Sequence, residues 1–155
     1  MGTRGGTLPG LLDPIRTLFE KLSALHAAAI AEEAGNSSSM ARAGRHYYDV
    51  HALLVSQGLI ERLSEVSIED MMADIADIAD VSTRNGWPFH PRPKAGFASS
   101  PALAPHGQAV DHARVSYEAA LGLIYSEPPT FESCLATIGM ASAHPELAGG
   151  VLRVR

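Results

Sequence analysis

The spacing of apolar residues along the chain predicts helices from the start. Asp13 followed by Pro14 is typical of a helix N-terminus, because the carboxylate accepts from free backbone N–H groups and proline fits the first turn. The apolar positions that follow recur every three or four residues, as on one helix face: Ile15, Leu18, Phe19, Leu22, Leu25 and Ala29. A glycine- and serine-rich stretch, 35–39, ends this first helix.

Two further helices follow the same pattern. The second runs over about 40–57, with Gly58 as its stop and a buried face made of Ala43, Tyr47, Val50, Leu53 and Leu54. The third starts at a cap-like Ser67, and its apolar stripe comprises Ile68, Met71, Met72, Ile75 and Ala79. We expect its acidic side, which contains Asp70, Asp74, Asp77 and Asp80, to face solvent.

The later part of the chain contains a proline-rich segment and two more predicted helices. Five prolines within 85–108 exclude a regular element there, while Trp87, Phe89 and Phe97 indicate a segment that packs onto the helices. A fourth helix is expected over about 109–125, with an inner face made of Val110, Ala113, Tyr117, Ala120, Leu121 and Ile124. Thr130 caps a fifth, with an inner face made of Phe131, Cys134, Leu135 and Ile138. The pattern predicts an all-α fold, an irregular bundle of about five helices with a long ordered proline-rich loop.

Length and composition restrict the organisation and the partners. With 155 residues and 46% hydrophobic content, we expect one helical domain over 13–147, between a flexible N-terminus, 1–12, and a tail, 148–155. A formal net charge of -5 gives no general attraction to DNA, RNA or anionic membranes. The single cysteine, Cys134, excludes an intramolecular disulfide and fits a reducing compartment. We expect a cytoplasmic protein with no export signal and no membrane anchor.

Lys21 stands out because it lies at the margin of the apolar face of the first helix. Its stem can cover apolar surface while its ammonium reaches out. The simpler interpretation is an ordinary boundary lysine, and the functional one is a charge that meets phosphate oxygens. On the second helix, Arg42, Arg45 and Asp49 share one side. They are either an exposed charge cluster or a carboxylate placed to orient a substrate hydroxyl or a metal-bound water.

No other motif in the sequence carries clear chemistry. The seven histidines do not have the spacing of a metal site, and Cys134 falls on the inner face of its helix, as a buried structural thiol would. The chain has neither a phosphate-binding glycine loop nor a G-x-S-x-G elbow. Candidate chemistry is therefore confined to the first two helices.

Three stretches together resemble a known family. They read LDPIRTLFEKLSALH, RAGRHYYDVHALL and HARVSYEAALGLIYSEPPTFESCLATI. Their order and spacing are similar to the C-terminal helical half of the AbiEii/AbiGii nucleotidyltransferase toxin family, over 12–147. The blocks RT-x-x-EK and RHYYD-V-x-x-LL are the most specific part of this resemblance.

The resemblance implies a two-part protein, with an N-terminal polymerase-β-like palm and a helical part like this chain. Such toxins of type IV toxin–antitoxin and abortive phage infection systems transfer NMP from an NTP to an RNA acceptor, tRNA in some relatives. The family's helical lysine matches Lys21 and its later helical aspartate matches Asp49, which makes these two the catalytic candidates. Lys21, Arg45 and Arg16 are the nucleotide-binding candidates.

The family's other two motifs, a Gly-Ser segment and a D-x-D metal pair, do not occur in this sequence. Mg²⁺ is expected for full-length relatives, but its ligands are missing here. We therefore expect a truncated chain that is inactive alone, because phosphoryl transfer needs metal ions to neutralise the triphosphate.

Two alternatives to a nucleotidyltransferase function stay open. One is a non-enzymatic helical module that binds a cognate antitoxin or a separate catalytic domain. An exposed apolar surface on the first two helices would favour it. The other is a decayed remnant, which would pack loosely.

Overall fold

The computed structural model describes residues 13–36, 39–91, 93, 97–103 and 105–143. The predicted flexible N-terminus, the predicted tail and the last residues of the predicted domain, 144–147, lie outside these ranges. The helices are α1 (Pro14–Glu33), α2 (Gly44–Val55), α3 (Leu59–Glu65), α4 (Ile68–Asn85), α5 (Gln108–Gly122) and α6 (Phe131–Ala143). Short 3₁₀ turns occupy Met40–Arg42 and Phe97–Ser99.

The all-α prediction is confirmed, since the described part of the chain contains no β-strand. None of its helices combines the length and the apolar character required to cross a membrane. The predicted start signals also form. Asp13 accepts from the backbone N–H of Ile15 at 3.0 Å, Ser67 from that of Asp70 at 3.1 Å, and Thr130 from that of Ser133 at 3.0 Å.

Helix α2 is the centre of the bundle, because it packs against α1, α5 and α6. Its Tyr47 is fully buried and donates to the carbonyl of Ala102 at 2.6 Å. At its first turn α2 crosses α5 so closely that a Cβ on Gly44 would overlap the backbone nitrogen of Tyr117 and lie 2.8 Å from the Ala113 carbonyl oxygen. Only glycine fits at this crossing.

The predicted inner faces of α1 and α6 are buried, apart from a partly buried Leu135. Other boundaries differ from the prediction. The second helix begins as a 3₁₀ turn before α2, and α3 was missed because its seven residues are too few to show a helical period. Helix α5 ends at Gly122, so Ile124, predicted to be buried, is 54% exposed.

The proline-rich segment packs onto α1 and α2 through some of its residues. Phe97 is buried as predicted, whereas Trp87 is 60% exposed. The buried His26 of α1 holds this segment, with Nε2 at 3.1 Å from the Pro91 carbonyl and Nδ1 at 2.6 Å from Ser100 Oγ. A carbonyl only accepts, so Nε2 carries the proton and Nδ1 accepts from the Ser100 hydroxyl.

Candidate functional site: a groove along α1

The two residues predicted as catalytic candidates are in contact. Lys21 Nζ of α1 lies 3.2 Å from Asp49 Oδ2 of α2, and the side chains are 31% and 22% exposed. The His46 ring is near the same carboxylate, with Nδ1 at 3.8 Å from Asp49 Oδ2. The crossing of two helices therefore places an ammonium, a carboxylate and an imidazole together at a half-buried edge.

Asp49 is ionised at neutral pH. Its burial alone would raise the pKa of the carboxyl group, but the neighbouring His46 and the charge of Lys21 outweigh burial, so the pKa of Asp49 is lowered. An ionised Asp49 holds the Lys21 ammonium at the edge of the helix and limits its rotation.

Lys21 also lines a groove of about 590 Å³ that follows the outer face of α1. The floor consists of small side chains at helical spacing: Ala24, Ala27, Ala28 and Ala31. On one side the wall comes from the Met40–Arg42 turn and α2: Ser39, Arg42, Ala43 and His46. On the other side it comes from α4 and the residues after it: Ile78, Val81, Ser82, Trp87, Pro88 and Phe89.

Three of the four charged residues that line the groove are cations, although the chain as a whole has a formal charge of -5. They are Arg16, Lys21 and Arg42, with Glu20 as the acidic residue, and carboxylates contact both Arg16 and Lys21. Arg42 is exposed and forms no ion pair with any described residue. Arg42 therefore gives this side of the groove a local attraction for negative charge.

Arg16 lines the same groove but is held by carboxylates. Its Nη1 lies 2.9 Å from Asp77 Oδ2 and 3.7 Å from Asp74 Oδ1, and its Nε lies 3.5 Å from Glu20 Oε2. Arg16 thus joins α1 to α4. Arg45 is exposed on the outward side of α2 and is not part of the groove.

The prediction that Asp74 faces solvent is wrong, because Asp74 is only 6% exposed. The buried face of α4 is instead made of Met71, Asp74, Ile78 and Ser82, while Met72, predicted to be buried, is 45% exposed. Asp70, Asp77 and Asp80 are exposed as predicted, and Arg16 provides a cation for the buried Asp74, with Nη1 at 3.7 Å from Asp74 Oδ1.

Several groove residues were not singled out from the sequence as site residues: Arg42, His46, Trp87 and the floor alanines. The spacing of Ala24, Ala27, Ala28 and Ala31 was the one available signal, since small residues at i, i+3, i+4 and i+7 mark a helix face that another chain can approach closely. Nothing in the sequence showed which side chains would form the walls, because these come from α2, α4 and the segment after α4.

No metal site is evident in the described ranges, since they contain no group of three or more His, Cys, Asp or Glu residues arranged to hold an ion. Cys134 is fully buried, burial raises the pKa of its thiol, and its sulfur lies 3.4 Å from the Tyr117 hydroxyl oxygen. These features fit the structural role predicted for it.

Comparison of the chain with protein family models, curated proteins and solved structures gave no match. The resemblance to the nucleotidyltransferase toxins stays a prediction, as do the site roles of Lys21, Asp49, Arg45 and Arg16.

Proposed function

We propose that this chain is the helical part of a nucleotidyltransferase of the AbiEii/AbiGii toxin type, which transfers NMP from an NTP to an RNA acceptor in the cytoplasm. The observation that supports this most is the contact between Lys21 and Asp49 at 3.2 Å. The two residues resemble separate motifs of the family, come from different helices and meet at the rim of a groove that Arg42 also lines.

In this proposal Lys21 contacts the phosphates of the NTP. An ammonium has three donors, so Lys21 keeps its contact with Asp49 while it donates to phosphate oxygens. Asp49, ionised and half-buried, fixes the direction in which the ammonium points. Arg16 could reach the nucleotide only by exchanging its contact with Asp77, and the exposed Arg45 would contact phosphate from the outer side of α2.

Mg²⁺ binding does not fit the described residues of this chain, because Asp49 is occupied by Lys21 and no ligand cluster is present in those residues. The metal ligands must come from a palm that carries the Gly-Ser and D-x-D motifs, either in a longer form of the protein or in a separate chain. The residues here bind and orient the nucleotide, and no step of the transfer is assigned to a metal on this chain.

The first test measures nucleotide binding by the chain alone, by anisotropy of a fluorescent ATP analogue. We expect Lys21→Ala to weaken binding by about tenfold, the equivalent of about 1.4 kcal/mol, and Asp49→Asn to weaken it less. Arg114→Ala is the matched control, because Arg114 also forms an ion pair between helices, at 2.7 Å from Glu132, away from the groove.

If the contact between Lys21 and Asp49 only stabilises the fold, the measurements will give a different result. Lys21→Ala and Arg114→Ala would then each lower the free energy of unfolding only slightly, and neither would change nucleotide binding. That outcome would contradict the proposal.

The second measurement is transfer of labelled nucleotide from each of the four NTPs to total tRNA with Mg²⁺, for the chain with any palm encoded in frame or beside it. Activity that needs both parts and is lost in Lys21→Ala supports the proposal.

A second candidate function is a non-enzymatic helical module that binds another protein, such as a cognate antitoxin or a separate catalytic domain. The observation that favours it is the groove itself, in whose floor Ala24, Ala28 and Ala31 are partly exposed. An apolar surface on the first helix is the feature that such a module requires.

A further inference from the structure

We infer that the groove along α1 binds an acidic amphipathic helix of another protein. This inference rests on the second candidate function and names the chemistry of the partner. It makes no use of nucleotide transfer.

The shape of the groove suits a helix. Its lining follows α1 from Arg16 to Ala31, which at 1.5 Å per residue is about 22 Å, or about four turns. The small side chains of Ala24 and Ala28 let a second backbone approach α1 closely, as in helix pairs whose axes lie about 8 Å apart. The floor alone does not identify the occupant, and the two walls decide its character.

The walls differ in polarity. The wall from α4 and the following residues presents Ile78, Val81, Trp87 and Phe89, which can contact an apolar ridge repeating at i, i+3, i+4 and i+7. The opposite wall presents Arg42 and His46, with Lys21 beside them at its foot. A helix that lies on the alanine floor therefore meets apolar side chains along one flank and the cations Arg42 and Lys21 along the other.

Charge complementarity selects an acidic helix. Arg42 is exposed without an ion pair among the described residues, and a carboxylate on the partner would provide one. A basic helix would place like charges beside Arg42 and Lys21, which disfavours binding. A second copy of this chain is the alternative occupant that the experiment has to distinguish.

Trp87 reports directly on the groove, because it is the only tryptophan of the chain and is 60% exposed in the groove wall. A tryptophan-free peptide that covers it will shift its emission to shorter wavelength. This gives a binding signal that does not depend on a label.

The experiment selects tryptophan-free peptides of about 15 residues, the length that spans the groove, from a display library designed as helices with random surface positions. We expect the enriched peptides to carry acidic residues next to an apolar ridge and to shift the Trp87 emission. Their charge-reversed forms, with Lys in place of Glu and Asp, should bind at least about tenfold more weakly.

Protein variants locate the binding site. Ala24→Phe fills the floor and should abolish binding, whereas Ala119→Phe, at an exposed position on α5, should leave it unchanged. Arg42→Glu should weaken binding at least about fivefold. Its control, Arg84→Glu, changes an exposed arginine of α4 that pairs with Asp80 outside the groove.

Four results would overturn the inference. The first three are no enriched peptide, enriched peptides that are basic or neutral, and binding that is unaffected by Ala24→Phe. Concentration-dependent self-association that Ala24→Phe prevents would also overturn it, because the occupant would then be a second copy. Peptides that bind outside the groove would contradict the inference but not the second candidate function. The nucleotide proposal is tested separately, by Lys21→Ala.

Discussion

Small residues occupy two helix faces of this molecule. One face is covered by another helix of the chain, and the other lines a groove. At the α2–α5 crossing, Gly44 is buried under the backbone of α5, and its N–H donates to Ser116 Oγ at 3.2 Å. On α1, Ala24 and Ala28 are partly exposed and form the floor of a groove. A small residue on a helix thus permits close approach, but it does not show whether the chain itself supplies the approaching element.

The largest effect should come from filling the occupied crossing. Gly44→Ala places a methyl group against the backbone of Tyr117 and Ala113, which cannot move aside as a side chain would. We expect the free energy of unfolding to fall by at least about 3 kcal/mol, the upper range for overpacking, measured by urea denaturation.

Gly139→Ala is the matched control for this change. Gly139 is exposed within α6, and a Cβ there would meet nothing within 4 Å. Alanine is the better helix former, so this variant should gain about 0.5–1 kcal/mol. Equal effects at the two glycines would show that the close α2–α5 crossing does not form.

The second prediction compares the two faces of α1 directly. Ala29 is buried in the core at 3% exposure, and Ala24 lies on the groove floor. Ala29→Leu should lower the free energy of unfolding by about 1–3 kcal/mol because the core has no room for the added atoms. Ala24→Leu should change it by less than about 0.5 kcal/mol.

Thermal and urea denaturation of the two leucine variants give this difference. Similar destabilisation by both would mean that the groove is filled in the folded chain. Such a result would remove the contrast between the two small-residue faces, and with it the docking surface.

The same contrast explains which features of the fold could be predicted from the sequence. The inner face of α1 and the start signals at Asp13, Ser67 and Thr130 depend on neighbours within a few residues, and these predictions were correct. The face that α4 buries was predicted only in part: Met71 is buried as predicted, but Asp74 is buried as well. Its cation comes from Arg16, a residue far away in the chain.

The candidate site shows the same division. Lys21 and Asp49 were named from a resemblance, and no spacing rule could show that they touch. The groove was not predicted at all, because its walls come from three separate parts of the chain. The exposed Trp87 also illustrates this limit: the proline-rich segment was expected to bury its aromatic residues, and only the fold decides which of them, Phe97 or Trp87, reaches the core.

The smallest expected effect is the pH dependence of folding stability. It also distinguishes the two faces of α1, since His26 lies on the packed side. Burial lowers the pKa of His26 below its ordinary value of 6.5, and His90 adds to this, while the Pro91 carbonyl and Glu33 act in the opposite direction. The fold therefore holds the neutral ring, consistent with the hydrogen bonds to Pro91 and Ser100. As the pH falls below 6.5, the unfolded chain binds a proton first, so folding stability declines until the lowered pKa of the folded chain is reached.

His26→Gln tests this with urea denaturation at a series of pH values from neutral to mildly acidic. The variant loses the ring and should be less stable at neutral pH, but its stability should fall less steeply with acidification than that of the unchanged chain. His51, whose pKa burial also lowers, is present in both proteins and cancels in the comparison. An identical slope for the two proteins would mean that His26 is not held neutral, and the hydrogen bonds that tie the proline-rich segment to α1 would then need a different proton arrangement.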